Sequence, residues 1–190
     1  MLISKLTRAN AMLSKIRHYV PIDKLVSIYH AIFASHMSYG CQIWGQNENN
    51  PLFKKIENLQ KRAMRIISFS SYEAHSEPLF KKFKILKLKD QISLYNSLLV
   101  HDFSRGILPT NFENYFILCS DLHDTETRRH AGTVFVPQVS SKRYGRKSIK
   151  LSSILTWNHL TEVLNQNLFS ITKPKLKNII TKYFINSYSE

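Results

Sequence analysis

The sequence predicts a mainly α protein, a multi-helix bundle of about six to seven helices with an irregular basic segment near residues 119–147. Two observations lead to this fold class. The 190 residues include only five glycines and six prolines, and apolar residues recur at helical spacing along most of the chain. Hydrophobic residues make up 43% of the total, which at this length is enough to bury a core.

Two helices are predicted near the start of the chain. Between Ser4 and His18, apolar residues form one stripe at the spacing of a packed helix, namely Leu6, Ala9, Leu13 and Ile16. Pro21 ends this helix, and Asp23 is placed to cap the next one. The second helix also has one apolar face, formed by Leu25, Ile28, Tyr29, Ile32 and Phe33.

The stretch SHMSYGCQIWGQ follows, and it is predicted to be a packing point rather than a reactive site. Its large aromatic residues, Tyr39 and Trp44, are expected to anchor a helix end, while its two glycines let the backbone turn. Cys41 has His36 as a candidate base, but a separation of five residues does not align two side chains on a helix. Cys41 is therefore expected to lie in the core.

The clearest helix of the sequence runs from Pro51 to Phe69. Its apolar half contains Leu52, Phe53, Ile56, Leu59, Ala63, Met64, Ile66 and Ile67. Its polar half carries the cations Lys54, Lys55, Lys61, Arg62 and Arg65, and the helix holds a single acid, Glu57. A solvated face normally mixes both signs, so these cations are candidate phosphate ligands, and a plain solvated face is the other interpretation.

Further helices are predicted downstream. They fall on EPLFKKFKIL, KLKDQISLYNSLLVHDFSRG, LPTNFENYF, residues 149–164 and residues 175–185. Asp90 lies in the first turn of the second of these, and Gly106 is placed to end it. Thr110 is placed to cap the third. Trp157, in the fourth, is expected to be a structural anchor.

Between residues 119 and 147 helical spacing is lost. Turn residues surround a β-branched patch at residues 133–136, which is compatible with a loop or a ragged hairpin. A second set of candidate phosphate ligands lies here, namely Arg128, Arg129, Arg143, Arg146 and Lys147. A flexible basic loop would have the same composition, so both interpretations stay open. The predicted organisation is a helical bundle over residues 1–118, this segment, and C-terminal helices over 148–190 that pack on the bundle.

The charge balance indicates the class of partner. Lys and Arg number 27 against 13 Asp and Glu, which gives a formal net charge of +14. A chain this basic usually has a polyanionic partner, most often nucleic acid. An anionic membrane surface is the other candidate, although no apolar run approaches the roughly 18 residues of a membrane span. Surface binding needs an exposed apolar face, and here those faces are expected to form the core, so a membrane partner is not predicted. The absence of a signal-peptide core and of a disulfide framework predicts an intracellular protein, nuclear or cytoplasmic.

Catalytic and metal-binding patterns are missing from the sequence. Two-metal nucleotidyl transfer needs at least two closely placed carboxylates, and the aspartates include no adjacent pair. Asp121 and Asp124 lie near His123, which is more typical of a polar loop than of a metal site. Cys119, His123 and His130 fall short of a zinc ligand set. No catalytic residue, metal or cofactor is therefore predicted, and the chain by itself is not expected to be an enzyme.

Several pieces of the sequence occur in a recognisable order. They are LTRANAMLSKIRHYVP, SIYHAIFASHMSYGCQIWG, IENLQKRAMRII, PLFKKFKILKLKDQISL, TRR and GRKSIKLSSILTWNHL. In this order they resemble the C-terminal region of reverse transcriptases from jockey-like non-LTR retrotransposons, over essentially the whole chain. SYGCQIWG, LQKRAMRII and WNHL are specific in combination, whereas each alone is a weak signal.

The resemblance carries implications for function. In such polymerases this region follows the fingers and palm and includes the thumb, which implies that residues 1–118 are a thumb-like bundle. The family's catalytic aspartates, in an [FY]-x-D-D strand, and its endonuclease domain lie upstream and have no counterpart here. The resemblance therefore implies a non-catalytic part that holds RNA template or RNA–DNA duplex. Such a chain is expected to be either the remnant of a truncated element or a piece of a longer protein.

An alternative function from another class stays open. The chain could be a helical protein-interaction module that packs on the fingers and palm of the parent polymerase and has no nucleic-acid role of its own. Its charge would then serve solubility alone. This alternative predicts an exposed apolar patch and self-association of the isolated chain.

Overall fold

The structure, a computed structural model, describes residues 1–122, 132–138 and 147–189. Within these ranges the regular elements are helical and no strand is present, which confirms the predicted mainly α class. The α-helices are α1 (Leu2–Ile16), α2 (Ile22–Tyr29), α3 (Ser35–Ser38), α4 (Cys41–Trp44), α5 (Pro51–Ser68), α6 (Glu77–Phe83), α7 (Leu88–Ser104), α8 (Ile149–Leu164) and α9 (Lys173–Asn186). Helices α3 and α4 are single turns, so the longer helices agree with the predicted number.

The chain forms two compact units. The first contains Met1–Gln91 and the C-terminal residues from Tyr183 on, and the second contains Ile92–Lys182. Helix α7 begins in the first unit and ends in the second. The predicted three-part organisation, with its basic middle segment, stays a prediction. Nowhere in the described part of the chain does a helix combine the length and apolarity that crossing a bilayer requires.

Helices α1 and α5 pack against each other in the first unit. The predicted stripe of α1 is buried at Leu6, Ala9 and Leu13. Asn10 is buried on the same face, where its Nδ2 donates a hydrogen bond to the Leu59 carbonyl oxygen at 2.9 Å. Near the end of α1, the Arg17 guanidinium carbon lies 5.2 Å from the centroid of the Phe69 ring. Asn10 thus contacts the middle of α5, whereas Arg17, seven residues later, contacts Phe69 at its end. The two helices therefore run in the same direction.

The second predicted helix is interrupted by a π-helical turn at His30–Ala34, between α2 and α3. The rings of Tyr29 and Phe33 are fully buried and stack with centroids 5.2 Å apart. The prediction that Asp23 caps α2 was wrong. Pro21 occupies the N-cap position, and Asp23 lies inside the first turn, where its negative charge faces the positive end of the helix dipole.

The stretch SHMSYGCQIWGQ forms the turn between α3 and α4. Gly40 has a positive φ of 60°, which favours glycine, and Cys41 is buried as expected. Trp44 is half-buried, and its Nε1 donates a hydrogen bond to the Tyr39 carbonyl oxygen at 3.1 Å. The expectation that Tyr39 anchors the helix end was wrong, because its side chain is 86% exposed. Helix α3 ends at Ser38, and the extended backbone at Tyr39 leaves the ring outside the core.

Helix α5 begins and ends at well-formed caps. Asn50 Oδ1 accepts a hydrogen bond from the backbone N–H of Leu52 at 2.9 Å, and Pro51 occupies the first helical position. At the other end Phe69 has a positive φ of 58°, and two backbone hydrogen bonds close the last turn around it. The predicted apolar half is buried except at Leu52 and at the half-buried Leu59. Leu52 is 54% exposed, whereas its neighbour Phe53 is buried, so the buried face of α5 begins at Phe53.

Gln60 is a fully buried polar residue on the apolar half of α5. Its Oε1 accepts a hydrogen bond from the Leu88 N–H at 2.9 Å. Its Nε2 donates to the Leu86 carbonyl oxygen at 2.9 Å and to the Tyr29 hydroxyl at 3.2 Å. One side chain thus links α2, α5 and the start of α7. Burial raises the pKa of Tyr29, so its hydroxyl stays protonated and neutral in the core.

The C-terminus is fixed to the first unit through Tyr188. Its hydroxyl donates to Asp90 Oδ2 and accepts from the Lys87 N–H at 3.0 Å. The Lys87 ammonium lies 4.2 Å from the centroid of the Tyr188 ring and also pairs with Glu77. Asp90 lies in the first turn of α7, as predicted. These contacts tie the last residues of the chain to the segment between α6 and α7.

Helix α7 ends as predicted. Gly106 has a φ of 63°, and its N–H donates to the Phe103 carbonyl oxygen at 2.9 Å, which is typical of a glycine that ends a helix. The following LPTNFENYF does not form the predicted helix. Only a 3-10 turn is present at Thr110–Phe112, and Pro109 rather than Thr110 occupies its cap position. A helix this short depends on packing of an apolar face, and in this segment only Phe116 is buried.

Trp157 of α8 organises the second unit. Its ring has no exposed surface and stacks on Phe169, with centroids 4.6 Å apart. Its Nε1 donates to the Gly132 carbonyl oxygen at 2.8 Å. Nearby, Leu118 and Val134 form an isolated antiparallel bridge, which joins the residue before the predicted irregular segment to its β-branched patch. Ser148 caps α8 by accepting from the Leu151 N–H.

Candidate nucleic-acid interface

The outer face of α5 carries the first set of predicted phosphate ligands. Lys54, Lys55 and Arg62 are exposed, whereas Lys61 and Arg65 are half-buried. The apolar half of α5 is largely buried in the core, so the polar half, which carries the cations, lies at the surface. All five side chains therefore lie where the amphipathic pattern places them.

The five cations differ in their partners. Lys61 pairs with Glu57 one turn earlier, with Nζ and Oε1 3.3 Å apart and both side chains 34% exposed. An exposed pair of this kind adds little stability, yet it partly neutralises the lysine. Among the described residues, no carboxylate pairs with Lys54, Lys55 or Arg62. These three cations, like Arg65, therefore keep their full charge for an external anion.

Arg65 has a structural role as well as a charge. Its Nε donates to the Ala74 carbonyl oxygen at 2.8 Å. Its guanidinium carbon lies 5.9 Å from the centroid of the Tyr72 ring. Both contacts hold the turn that follows α5 against the helix. The guanidinium has five N–H donors, so other donors remain for a ligand after the bond to Ala74 is made.

A groove of about 480 Å³ lies where α1, α5 and the turn after α5 meet. Its cationic lining consists of Lys55, Lys61, Arg62 and Arg65. The other lining residues are Ile3, Thr7, Asn58, Leu59 and Tyr72. None of these described lining residues is a carboxylate, so the groove presents positive charge above a partly apolar floor. The structure thus brings four of the predicted ligands together and leaves Lys54 outside the groove.

Most of the second predicted set lies outside the described residues. This applies to Arg128, Arg129, Arg143 and Arg146. Lys147 is described and exposed, immediately before the residue that caps α8. The participation of this set in binding stays a prediction.

The cysteine and metal candidates can be placed in part. Cys41 is 1% exposed, and burial raises the pKa of its thiol to about 11, whereas His36 is exposed. A buried neutral thiol is not a nucleophile, so this pair supports no covalent chemistry. His123 and His130 lie outside the described residues. Within the described ranges, no three His, Cys, Asp or Glu side chains group as metal ligands.

Tyr72 is the residue of this site that sequence reasoning missed. It is 80% exposed and lies in the SSYEAH turn, outside any periodic segment. The available signal was an aromatic residue a few positions beyond a basic helix, at a point where the chain must turn back. Asn58 belongs to the polar half of α5, but its position in the groove becomes evident only once α1 is placed beside it.

Comparison with known proteins gives a distant relationship. No family model matches the chain, and no solved structure matches it. Over 81 residues, 43% of this chain, the sequence is 27% identical to a Drosophila melanogaster protein described as "Probable RNA-directed DNA polymerase from transposon X-element". The match covers 9% of that protein, so the chain spans a small part of the length of its curated relative. The chain is therefore a distant, partial relative of a transposon RNA-directed DNA polymerase.

Proposed function

We propose that this chain is a non-catalytic part of a retrotransposon reverse transcriptase, corresponding to the thumb and post-thumb region of a jockey-like element. Its proposed task is to hold RNA template or RNA–DNA duplex through the backbone phosphates. The observation that carries this proposal is the cationic face of α5, where Lys54, Lys55 and Arg62 are exposed without a carboxylate partner among the described residues. The relationship to a transposon polymerase supports the same class of ligand.

Phosphate contact has a measurable signature. Each neutralised phosphate releases counterions, which lowers the logarithm of the binding constant by about 0.7–0.9 per unit of log salt concentration. Such contacts supply affinity and position without reading sequence. Binding through α5 should therefore be strong at low salt, weak at high salt and insensitive to sequence.

Binding of a mixed-sequence RNA hairpin tests the proposal. Fluorescence anisotropy would be measured with the whole chain between about 50 and 200 mM salt. We expect the triple variant Lys54→Ala, Lys55→Ala and Arg62→Ala to bind more weakly and to lose about two units of salt slope.

A matched control removes three exposed lysines of α9, with Lys175→Ala, Lys177→Ala and Lys182→Ala. This control changes the net charge by the same amount. It therefore distinguishes binding at α5 from non-specific electrostatic attraction of RNA to a basic chain. We expect it to retain most of the salt slope. Absence of RNA binding at low salt, or equal losses in both triple variants, would overturn the role of α5.

A second candidate function is the protein-interaction module, and exposed apolar side chains favour it. Tyr39 is 86% exposed and Ile43, on the neighbouring α4, is 75% exposed. An apolar pair at this position suits the fingers–palm part of a parent polymerase as partner. This function predicts self-association of the isolated chain that Tyr39→Ser with Ile43→Ser would abolish. A monodisperse monomer by light scattering would count against it.

A further inference from the structure

We propose that the groove beside α5 binds an unpaired nucleotide, with its base stacked on Tyr72 and the neighbouring phosphates facing Lys55 and Arg62. This inference rests on the proposed nucleic-acid function and narrows it to single-stranded segments. Three features of the groove support it: the placement of an aromatic ring, the chemistry of the floor and the distribution of charge.

The Tyr72 ring is both exposed and held in place. It borders the groove and keeps 80% of its surface accessible. Arg65 contacts the ring and limits its movement, since the guanidinium carbon lies 5.9 Å from the ring centroid and Nε bonds the carbonyl oxygen of Ala74 in the same turn. A ring held in this way loses little freedom when a base stacks on it, which favours binding.

The floor of the groove suits a base and its sugar. Leu59 and Ile3 are half-buried apolar residues of α5 and α1, and they can contact the flat face of a base. Asn58 is exposed beside them, and its carboxamide offers both hydrogen-bond donors and an acceptor to a base edge. A volume of about 480 Å³ lies within the range of roughly 300–1,000 Å³ that is usual for ligand sites.

Lys55 and Arg62 lie at different points along the path that a bound nucleic-acid strand would follow, and they do not surround a single phosphate. Lys55 and Arg62 are seven residues apart, close to two helical turns, which separates them by about 10 Å along α5. A nucleic-acid strand that follows the helix would therefore bring different phosphates to each of them. The described lining residues include no carboxylate to oppose this path.

Base stacking on Tyr72 distinguishes unpaired from paired nucleic acid. In a duplex the bases are stacked on one another, and a protein ring reaches them only at ends, loops or bulges. A duplex could therefore touch Lys55 and Arg62 but leave Tyr72 unused. Single strands combine phosphate contacts with stacking, which is the usual mode of single-strand binding.

The test compares single-stranded RNA of about ten nucleotides with a blunt RNA duplex of the same length. Binding of the whole chain would be followed by fluorescence anisotropy. We expect Tyr72→Ala to weaken single-strand binding by about five- to a hundredfold, without changing its salt slope or the affinity for the duplex. Tyr72→Phe keeps the ring and should bind like the parent chain. Circular dichroism confirms that each variant is folded.

A second measurement does not depend on a ring-deleting variant. A single 2-aminopurine in the RNA loses fluorescence when it stacks on an aromatic ring, so binding should quench it in the parent chain and in Tyr72→Phe. Equal affinity for strand and duplex, together with an unaffected Tyr72→Ala, would overturn this inference and leave the proposed function standing. Failure of every RNA to bind at low salt would overturn both.

Discussion

The carboxamide of Asn158 pairs with both backbone polar groups of Val134. The Val134 N–H donates to Oδ1 at 2.9 Å, and Nδ2 donates to the Val134 carbonyl oxygen at 2.8 Å. A side chain of α8 thus occupies the place of a neighbouring strand, beside the bridge from Val134 to Leu118. Because Val134 is 1% exposed, its backbone groups depend on protein partners for their hydrogen bonds.

Removing this amide should destabilise the second unit. We expect Asn158→Ala to lower the free energy of unfolding by roughly 1–3 kcal/mol for each backbone group left unpaired. Asn158→Asp keeps an acceptor for the N–H but sets a second acceptor oxygen against the Val134 carbonyl oxygen, so it should not restore the stability of the parent chain. Urea denaturation followed by circular dichroism measures both. His159→Ala changes the adjacent exposed residue and should stay within about 0.5 kcal/mol of the parent. Equal effects at both positions would contradict this role of Asn158.

A similar argument applies to Gln60 in the first unit. Gln60→Leu keeps much of the side-chain volume but strands the Leu88 N–H and the Leu86 carbonyl in the core, so we expect a loss of roughly 1–3 kcal/mol per group. Thermal unfolding measures the change. Asn58→Ala, on the exposed face of the same helix, is the matched control and should leave the midpoint nearly unchanged. A Gln60→Leu protein as stable as the parent would show that the bridge is dispensable.

These two amides show where sequence reasoning ends. Apolar periodicity was sufficient to predict α1, α5 and α8, because burial of one helix face is a local property of spacing. No local sequence pattern marks Gln60 or Asn158. A polar residue within a helix has the same sequence context whether its side chain faces water or bonds a distant backbone group. Their partners lie 28 and 24 residues away in sequence, so the contact is visible only once the chain is folded.

The candidate site likewise contains residues that the sequence predicts and residues that it does not. The cations of α5 were predictable, since their one-sided placement follows from the helix period alone. Tyr72 was not, because its position depends on the left-handed backbone at Phe69 and on the bond from Arg65 to Ala74. The exposure of Tyr39 was missed for a related reason, since an aromatic residue near a helix end can face either way until the turn is known.

The ion pair between Glu77 and Lys87 predicts that the stability of the first unit depends on pH. Hydrogen bonds from Lys87 and then Ser189 lower the pKa of this carboxyl from 4.5 to about 2. Between these two pKa values the unfolded chain therefore binds more protons than the folded chain. The contribution of Glu77 to the free energy of unfolding is present above pH 4.5 and is lost as pH falls towards 2. The side chain is 45% exposed, and solvent screening should keep the effect below about 1 kcal/mol.

The measurement is the difference in free energy of unfolding between the parent chain and Glu77→Gln as pH is lowered. We expect this difference to shrink from pH 4.5 downwards. Using a difference cancels Asp90, where burial raises the pKa of the carboxyl and gives the opposite sign. Glu73→Gln, in the exposed turn, is the control. A difference that stays constant down to pH 2 would be evidence against a lowered pKa at Glu77.

The two cysteines should differ in reactivity in the native protein. Cys41 is 1% exposed, and burial raises the pKa of its thiol to about 11, so only about one molecule in a thousand carries the thiolate at pH 8. Cys119 is half-buried and more accessible. We expect a thiol reagent such as dithionitrobenzoate to modify Cys119 first and Cys41 only when urea unfolds the chain. Cys119→Ser should abolish labelling of the native chain, and Cys41→Ser should abolish the additional labelling that appears in urea. Fast labelling of Cys41 in the folded chain would mean that the turn between α3 and α4 opens readily and does not hold the thiol in the core.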